Sequence, residues 1–222
     1  MQKNILLKML TGSGKSTLIN LVARLYDATD GEVLVDGIDI KNYKLSSLHN
    51  IIGYVPQKAI LLRGTISSNV NYGLSKQKIT KDDIKEAIKI AQSKEFVEKL
   101  ENAYDANVAQ GGTNLSGGQK QRISIARAIA RKPEIYIFDD TFSALDYKTD
   151  FNLRKALKKY TKDATILIVA QRIGTIKNAD KIIVIDNGLI VGMGTHNELL
   201  KKCKVYKEIA LSQLSKEELE NA

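Results

Sequence analysis

Thr11-Gly12-Ser13-Gly14-Lys15-Ser16-Thr17 is the stretch on which the fold turns. Its glycines lead into Lys-Ser, and Leu18, Leu21, Val22 and Leu25 then keep the i, i+3, i+4, i+7 spacing of a helix with one buried face. A strand, a glycine loop and Lys-Ser at a helix start make up the P-loop context. Glycines let backbone N–H groups close round a phosphate with no Cβ in the way. The helix start adds partial positive charge. Lys15 is predicted to reach the outer phosphates of a nucleotide as a point charge, and Ser16 to ligate Mg2+. The full pattern, G-x-x-x-x-G-K-[ST], has its first glycine at position 9, where this chain carries Met9; the cradle from Gly12 to Thr17 is complete.

Outward from this loop, apolar runs alternate with helical patterns. Val33 to Val35, Ile51 to Val55, Ile135 to Phe138, Thr165 to Ala170 and Lys181 to Ile185 read as strands. Ile84, Ala87, Ile88 and Ala91 form a helical face, with Thr80 and Asp83 spaced as a capping box at its start. Asp186-Asn187-Gly188 reads as a hairpin turn, because Asn-Gly tolerates positive φ. Thr195 with Glu198 opens a final helix. Such alternation predicts one α/β domain over residues 1–222, a P-loop NTPase (RecA-like) core with a mostly parallel sheet. Residues 58–132 read as mostly helical, with no buried strand. They are assigned to an inserted helical lobe, leaving 1–57 and 133–222 as the core lobe.

A second centre follows at Ile135-Tyr136-Ile137-Phe138-Asp139-Asp140. An apolar strand running into paired acids puts carboxylates at the C-terminal edge of a sheet, where ligands bind in such folds. Asp139 is suited to hold Mg2+, directly or through water.

Composition narrows the classes. Hydrophobic residues make up 43% of the 222 residues, enough for a sizeable core. No apolar run approaches the 20 or so residues of a membrane span, and the first ten residues do not read as a signal peptide. Cys203 is the single cysteine, so an internal disulfide is impossible. The charge of +9 comes from 34 basic against 25 acidic residues. Its lysines are scattered among carboxylates, which points to solvated helix faces and away from nucleic acid.

Leu115-Ser116-Gly117-Gly118-Gln119 decides the class. Ser116 can cap a helix there, and two glycines expose backbone N–H groups to an anion. The run resembles the signature motif of ATP-binding-cassette ATPases, as does the sequence after it, Lys120 to Ala128. Gln57 in Val55-Pro56-Gln57 is similar to the family's glutamine loop, and Ser143-Ala144-Leu145-Asp146 to its D-loop. Leu62 to Asn69, Gly188 and Gly194 to Leu199 look like exporter-type segments, and His196 reads as a surface residue outside the chemistry.

The resemblance implies a nucleotide-binding domain of an exporter-type ABC transporter that binds ATP with Mg2+ and hydrolyses it. Thr11 to Thr17 would hold the phosphates, and Ser16, Gln57 and Asp139 the metal. Leu115 to Gln119 would act in trans on the ATP of a second cassette in a head-to-tail dimer. Membrane-spanning transporter domains would be the further partners, with this domain peripheral on the cytoplasmic face of the cell membrane.

Three positions depart from the family pattern. Asp140 stands where the general base is usually Glu, Gln171 replaces the switch histidine after the next strand, and Met9 replaces the first P-loop glycine. Asp140 is one methylene short of the attacking water, and a glutamine can hold a γ-phosphate by hydrogen bond but cannot carry a proton. The pattern resembles the degenerate-site subunit of heterodimeric exporters, with a slow site on this chain's own P-loop. An ordinary homodimeric ATPase stays open as an alternative. Eight residues precede Met9, so relative to the family the chain is expected to be N-terminally truncated. It would then lack the aromatic that stacks on adenine, a loss of about 1–3 kcal/mol. The alternative function is a truncated, non-hydrolysing cassette that acts as an interaction or regulatory module.

Overall fold

The computed structural model describes residues 4–9, 14–73 and 75–214. In chain order its first half runs β1 (Asn4–Met9), α1 (Lys15–Val22), β2 (Leu34–Val35), β3 (Ile38–Asp39), α2 (Leu45–Ile51), β4 (Ile52–Val55), β5 (Gly64–Thr65), α3 (Ile66–Val70), α4 (Lys81–Ile90) and α5 (Lys94–Glu98). It continues with β6 (Asn107–Val108), α6 (Gly117–Ala130), β7 (Ile135–Asp139), α7 (Tyr147–Tyr160), β8 (Thr165–Ala170), α8 (Ile173–Ile176), β9 (Lys181–Asp186), β10 (Leu189–Gly194), α9 (His196–Lys202) and α10 (Lys204–Gln213). Among the described residues, no helix is long and apolar enough to cross a membrane.

Six strands form the main sheet in the order β10-β9-β1-β8-β7-β4. The pairs β9–β1, β1–β8, β8–β7 and β7–β4 are parallel, and β10 returns antiparallel to β9. The Asp186-Asn187-Gly188 turn makes that return with Asn187 at φ 47° and Gly188 at φ 78°. A parallel sheet covered by helices buries strand residues on both of its faces. The two cores show this directly. Tyr136, Phe138, Ile166 and Ile168 pack on the face that carries α6 and α7, whereas Ile137, Leu167 and Val169 pack on the face that carries α1 and α2. The alternation has the two-residue period of a strand.

Between β4 and β7 the chain is mostly helical, and α4 buries Ile84, Ala87 and Ile88 with Ala91 just after it. Thr80 and Asp83 form the predicted capping box. One correction applies in this stretch. Gly64–Thr65 and Asn107–Val108 pair as a short antiparallel ladder, and Val108 is fully buried. Two-residue strands carry no periodicity to read.

Other readings shift. Ile51 ends α2, so β4 starts at Ile52. Leu34–Val35 pairs with Ile38–Asp39 as a separate hairpin outside the main sheet. The face of α1 rotates: Ile19 and Ala23 are fully buried, and Leu25 is 52% exposed. The helix stops at Val22 and Arg24 adopts φ 50°, which throws Leu25 outward. The helix after Thr195 is followed by another, α10. His196 is buried, not on the surface, with Nδ1 2.7 Å from the Tyr206 hydroxyl.

Gly53 on β4 is a close-packing glycine. A Cβ built there would lie 2.6 Å from Cγ of Pro133. Gly53→Ala is expected to destabilise the fold by about 1–3 kcal/mol, the usual penalty for overpacking, read as a lowered denaturant midpoint with unchanged slope.

Candidate functional site

The parallel strands end at one edge, and the chain carries its chemistry just past those ends. β1 ends at Met9, five positions before Gly14 in the sequence. β7 ends at Asp139, β4 at Val55 two residues before Gln57, and β8 at Ala170 before Gln171. The expectations for Thr11, Gly12 and Ser13, and for the side chains of Met9 and Lys15, lie outside the described residues. Gly14 caps α1 at φ 86°, a left-handed conformation open to glycine and costly for other residues. Lys15, Ser16 and Thr17 form the first turn of α1, which contains no acidic residue.

Ser16 and Asp139 are brought together from 123 residues apart: Ser16 Oγ donates to Asp139 Oδ2 at 3.0 Å. Asp139 is 5% exposed and Asp140 7%. Two adjacent carboxylates so withdrawn from water need donors or a cation. Tyr54 feels the charge, for burial and then the Asp139 carboxylate push its phenol up to about 12. Its hydroxyl donates to Asn20 Oδ1 at 3.2 Å. The Ser16 hydroxyl and Asp139 carboxylate are hard oxygen donors, the chemistry that Mg2+ takes.

Asp140 has a different environment. It adopts φ 43°, ψ 27°, a left-handed conformation that aspartate tolerates better than most residues. Its N–H donates to Val169 O at 2.9 Å, and its carbonyl accepts the Ser143 hydroxyl at 2.7 Å. Both glutamines converge on one carboxylate oxygen. Gln57 Nε2 donates to Asp140 Oδ2 at 3.2 Å and Gln171 Nε2 donates to the same atom at 3.0 Å. The sequence placed these three residues at one centre, but gave no hint that they bond to each other.

Leu115 to Gln119 lie elsewhere, beside the D-loop. Ser116 caps α6 in a full capping box: its Oγ accepts from Gln119 N at 3.3 Å, and Gln119 Oε1 accepts from Ser116 N at 2.8 Å. The first turn of α6 contains no acidic residue. Leu115 is buried, whereas Ser116 and Gly117 are exposed. A Cβ on Gly118 would meet Ala144 O at 3.4 Å, so the signature and the D-loop are in close contact. Ser143 and Ala144 are exposed, Leu145 is buried, and Asp146 caps α7 by accepting from Thr149 N at 2.9 Å.

Further residues hold this site that the sequence had not singled out. Thr141 Oγ1 donates to Val55 O at 3.2 Å, and Gln121 Nε2 to Pro56 O at 3.0 Å. Arg127 binds Asn69 O at 2.7 Å and Ile60 O at 3.1 Å, fixing the segment after Gln57. Gln121 and Arg127 follow the signature motif directly. Their position there was the one available signal.

A left-handed Gly14 at the start of α1, a serine–aspartate pair at the sheet edge and a capped Ser-Gly-Gly-Gln helix define a nucleotide-binding cassette of the ABC class. The family model for ABC transporters matches residues 9–143, more than half of the chain, and the chain belongs to that family. It is 50% identical over 204 residues to an uncharacterized ABC transporter ATP-binding protein of Mycobacterium bovis, covering 91% of this chain and 35% of that protein. It is 43% identical over 207 residues to the ATP-dependent lipid A-core flippase of Pasteurella multocida, covering 93% of this chain and 35% of that protein. The ATP-bound structure of a bacterial Atm1-family ABC exporter superposes with a TM-score of 0.92 at 34% identity, covering 96% of this chain and 37% of that one. The chain thus spans about a third of the length of these curated relatives.

Proposed function

We propose that this chain is the ATP-binding and ATP-hydrolysing cassette of an exporter, working as one half of a head-to-tail pair beneath membrane-spanning domains. The observation that carries the reading is the Ser16–Asp139 hydrogen bond at 3.0 Å. It sets the hydroxyl that follows the P-loop lysine against the carboxylate at the end of β7. Export as the direction of transport rests on the similarity to a flippase and to an exporter structure. The cytoplasmic face of a membrane is the matching location.

In this reading the Gly12 to Thr17 amides and Lys15 bind the phosphates of ATP. Ser16, Asp139 and Gln57 are the residues that would hold Mg2+, which when bound neutralises charge on the phosphate oxygens. Asp140 orients the attacking water and accepts its proton weakly, and Gln171 donates to the γ-phosphate. Leu115 to Gln119 close over the ATP of the second cassette, with Ser143 to Asp146 at the junction. Residues 58–132 serve as the helical lobe, and 1–57 with 133–222 as the core.

The own site is slow in this reading. Asp140 is short for a base, and two amides already engage its Oδ2. That engagement also favours the second reading, a non-hydrolysing cassette that regulates its partner. The deciding experiment is calorimetric titration of the purified chain with Mg-ATP. Saturable one-site binding is expected. A folded chain that takes up no heat would overturn the nucleotide-binding reading and leave the interaction module.

A further inference from the structure

Gln121 is the least expected polar residue of the core. It is 2% exposed, on the 14-residue helix α6, where an apolar side chain would pack without desolvation cost. Its amide is spent on a single backbone group: Nε2 donates to Pro56 O at 3.0 Å. Pro56 follows the last residue of β4 and has no N–H, so its carbonyl is the one main-chain group by which this residue can be held. The next residue is Gln57, whose Nε2 reaches Asp140 Oδ2 at 3.2 Å. The preceding residue, Val55, is tied through its carbonyl to Thr141 Oγ1 at 3.2 Å.

These bonds form a continuous path. Gln121 lies one helical turn beyond Gly117, on the same face of α6 as that glycine. A displacement at the exposed start of α6 would reach Gln121 along the helix, Pro56 across one hydrogen bond, and Gln57 across one residue. Gln57 in turn holds Asp140. The Thr141 bond anchors Val55 to the β7 side, so motion at Pro56 would be expressed at Gln57 and not dissipated into β4.

We propose that Gln121 is a positioning residue that couples the signature helix, which serves the partner cassette's nucleotide, to the glutamine loop of the chain's own site. Through it, the state of one ATP site sets where Gln57 stands in the other. The proposal rests on the head-to-tail reading above for what acts on the start of α6. The holding of Pro56 and Gln57 by Gln121 does not depend on that reading.

The test is Gln121→Met, which keeps length and volume and removes the donor. In the nucleotide-free chain, amide hydrogen exchange over residues 57–63 is expected to rise about fivefold, the factor that one neutral hydrogen bond is worth. Exchange over α4 should stay unchanged. No change at 57–63, or an equal rise everywhere, would overturn the positioning role. In the assembled two-cassette transporter, kcat is expected to fall about fivefold or more with KM for Mg-ATP within about twofold. A raised KM at unchanged kcat would overturn the coupling. Should the variant melt early, the unaltered chain decides by 15N NMR of the Gln121 side-chain amide. Slow solvent exchange, with a shift when Mg-ATP and the second cassette are added, supports the proposal; free exchange with no shift overturns it. A parent chain that binds no Mg-ATP would defeat the proposed function, while the nucleotide-free exchange result would still stand or fall alone.

Discussion

Lys15→Ala is expected to lower the affinity of the chain for Mg-ATP about a hundredfold or more. Lys15 opens α1 directly after the left-handed Gly14, so a phosphate bound by the loop amides meets it at the positive end of that helix. Truncating one member of a desolvated charge pair costs about 2–5 kcal/mol, and each 1.4 kcal/mol is tenfold in affinity. Ile19 within α1 and Ala23 just after it are buried and anchor the helix, and neither is altered by the substitution. Calorimetry checks the binding and circular dichroism the fold. Affinity within about threefold of the parent would mean that the loop amides alone hold the nucleotide.

Asp140→Glu combined with Gln171→His is expected to raise ATP turnover in the assembled pair about tenfold to a hundredfold. A positioned base contributes roughly 10²–10⁴ in rate, and the gain recovers the part that a short carboxylate forfeits. Glutamate adds the missing methylene. Histidine replaces one of the two amides on Asp140 Oδ2 by a ring that can carry a proton. A cost accompanies the gain, since position 140 is left-handed and glutamate is less at ease there than aspartate, by about 1 kcal/mol. A small drop in melting temperature together with faster single-turnover hydrolysis is therefore the expected pair of results. Turnover no higher than that of the parent would remove the idea that these two positions slow the site.

The strands that the sequence revealed most clearly are those buried on both faces. Thr165 to Ala170 is found as read, and Ile135 to Phe138 gains only Asp139. Asn4–Met9, at the centre of the sheet, was harder to see. Its apolar run is interrupted by Lys8, and its pairing with β8 and β9 is entirely non-local. The end of α1 is hidden from the sequence for a related reason. Leu25 fits the helical period, but spacing does not reveal that Arg24 turns left-handed. His196 looked like a surface residue because a polar side chain in a first turn usually is one. Its burial depends on Tyr206 from the next helix.

At the candidate site, residue types and order were enough to pick out Ser16, Asp139, Asp140, Gln57 and Gln171. The bonds among them were not, because a hydrogen bond between positions 31 or 83 residues apart has no sequence signature. Gln121 is inconspicuous in the sequence for the same reason. It sits within a stretch that resembles the family and looked like part of the helix rather than of the site.

The two glycine motifs open helices whose first turns hold no acid, as do the first turns of α2, α3, α8 and α10. α4, α5, α7 and α9 each answer the positive end of their own dipole with an acid in the first turn, whereas α1 and α6 carry none. An acid there stabilises a helix by about 0.3–1 kcal/mol. The helices behind the P-loop and the signature are thus left short of a counter-charge of their own. In the proposed function the phosphates of ATP would supply it, and bound nucleotide would add to the stability of α1 and α6. In that function nucleotide would then be a folding ligand as well as a fuel, each helix stabilised by the phosphate at its own start.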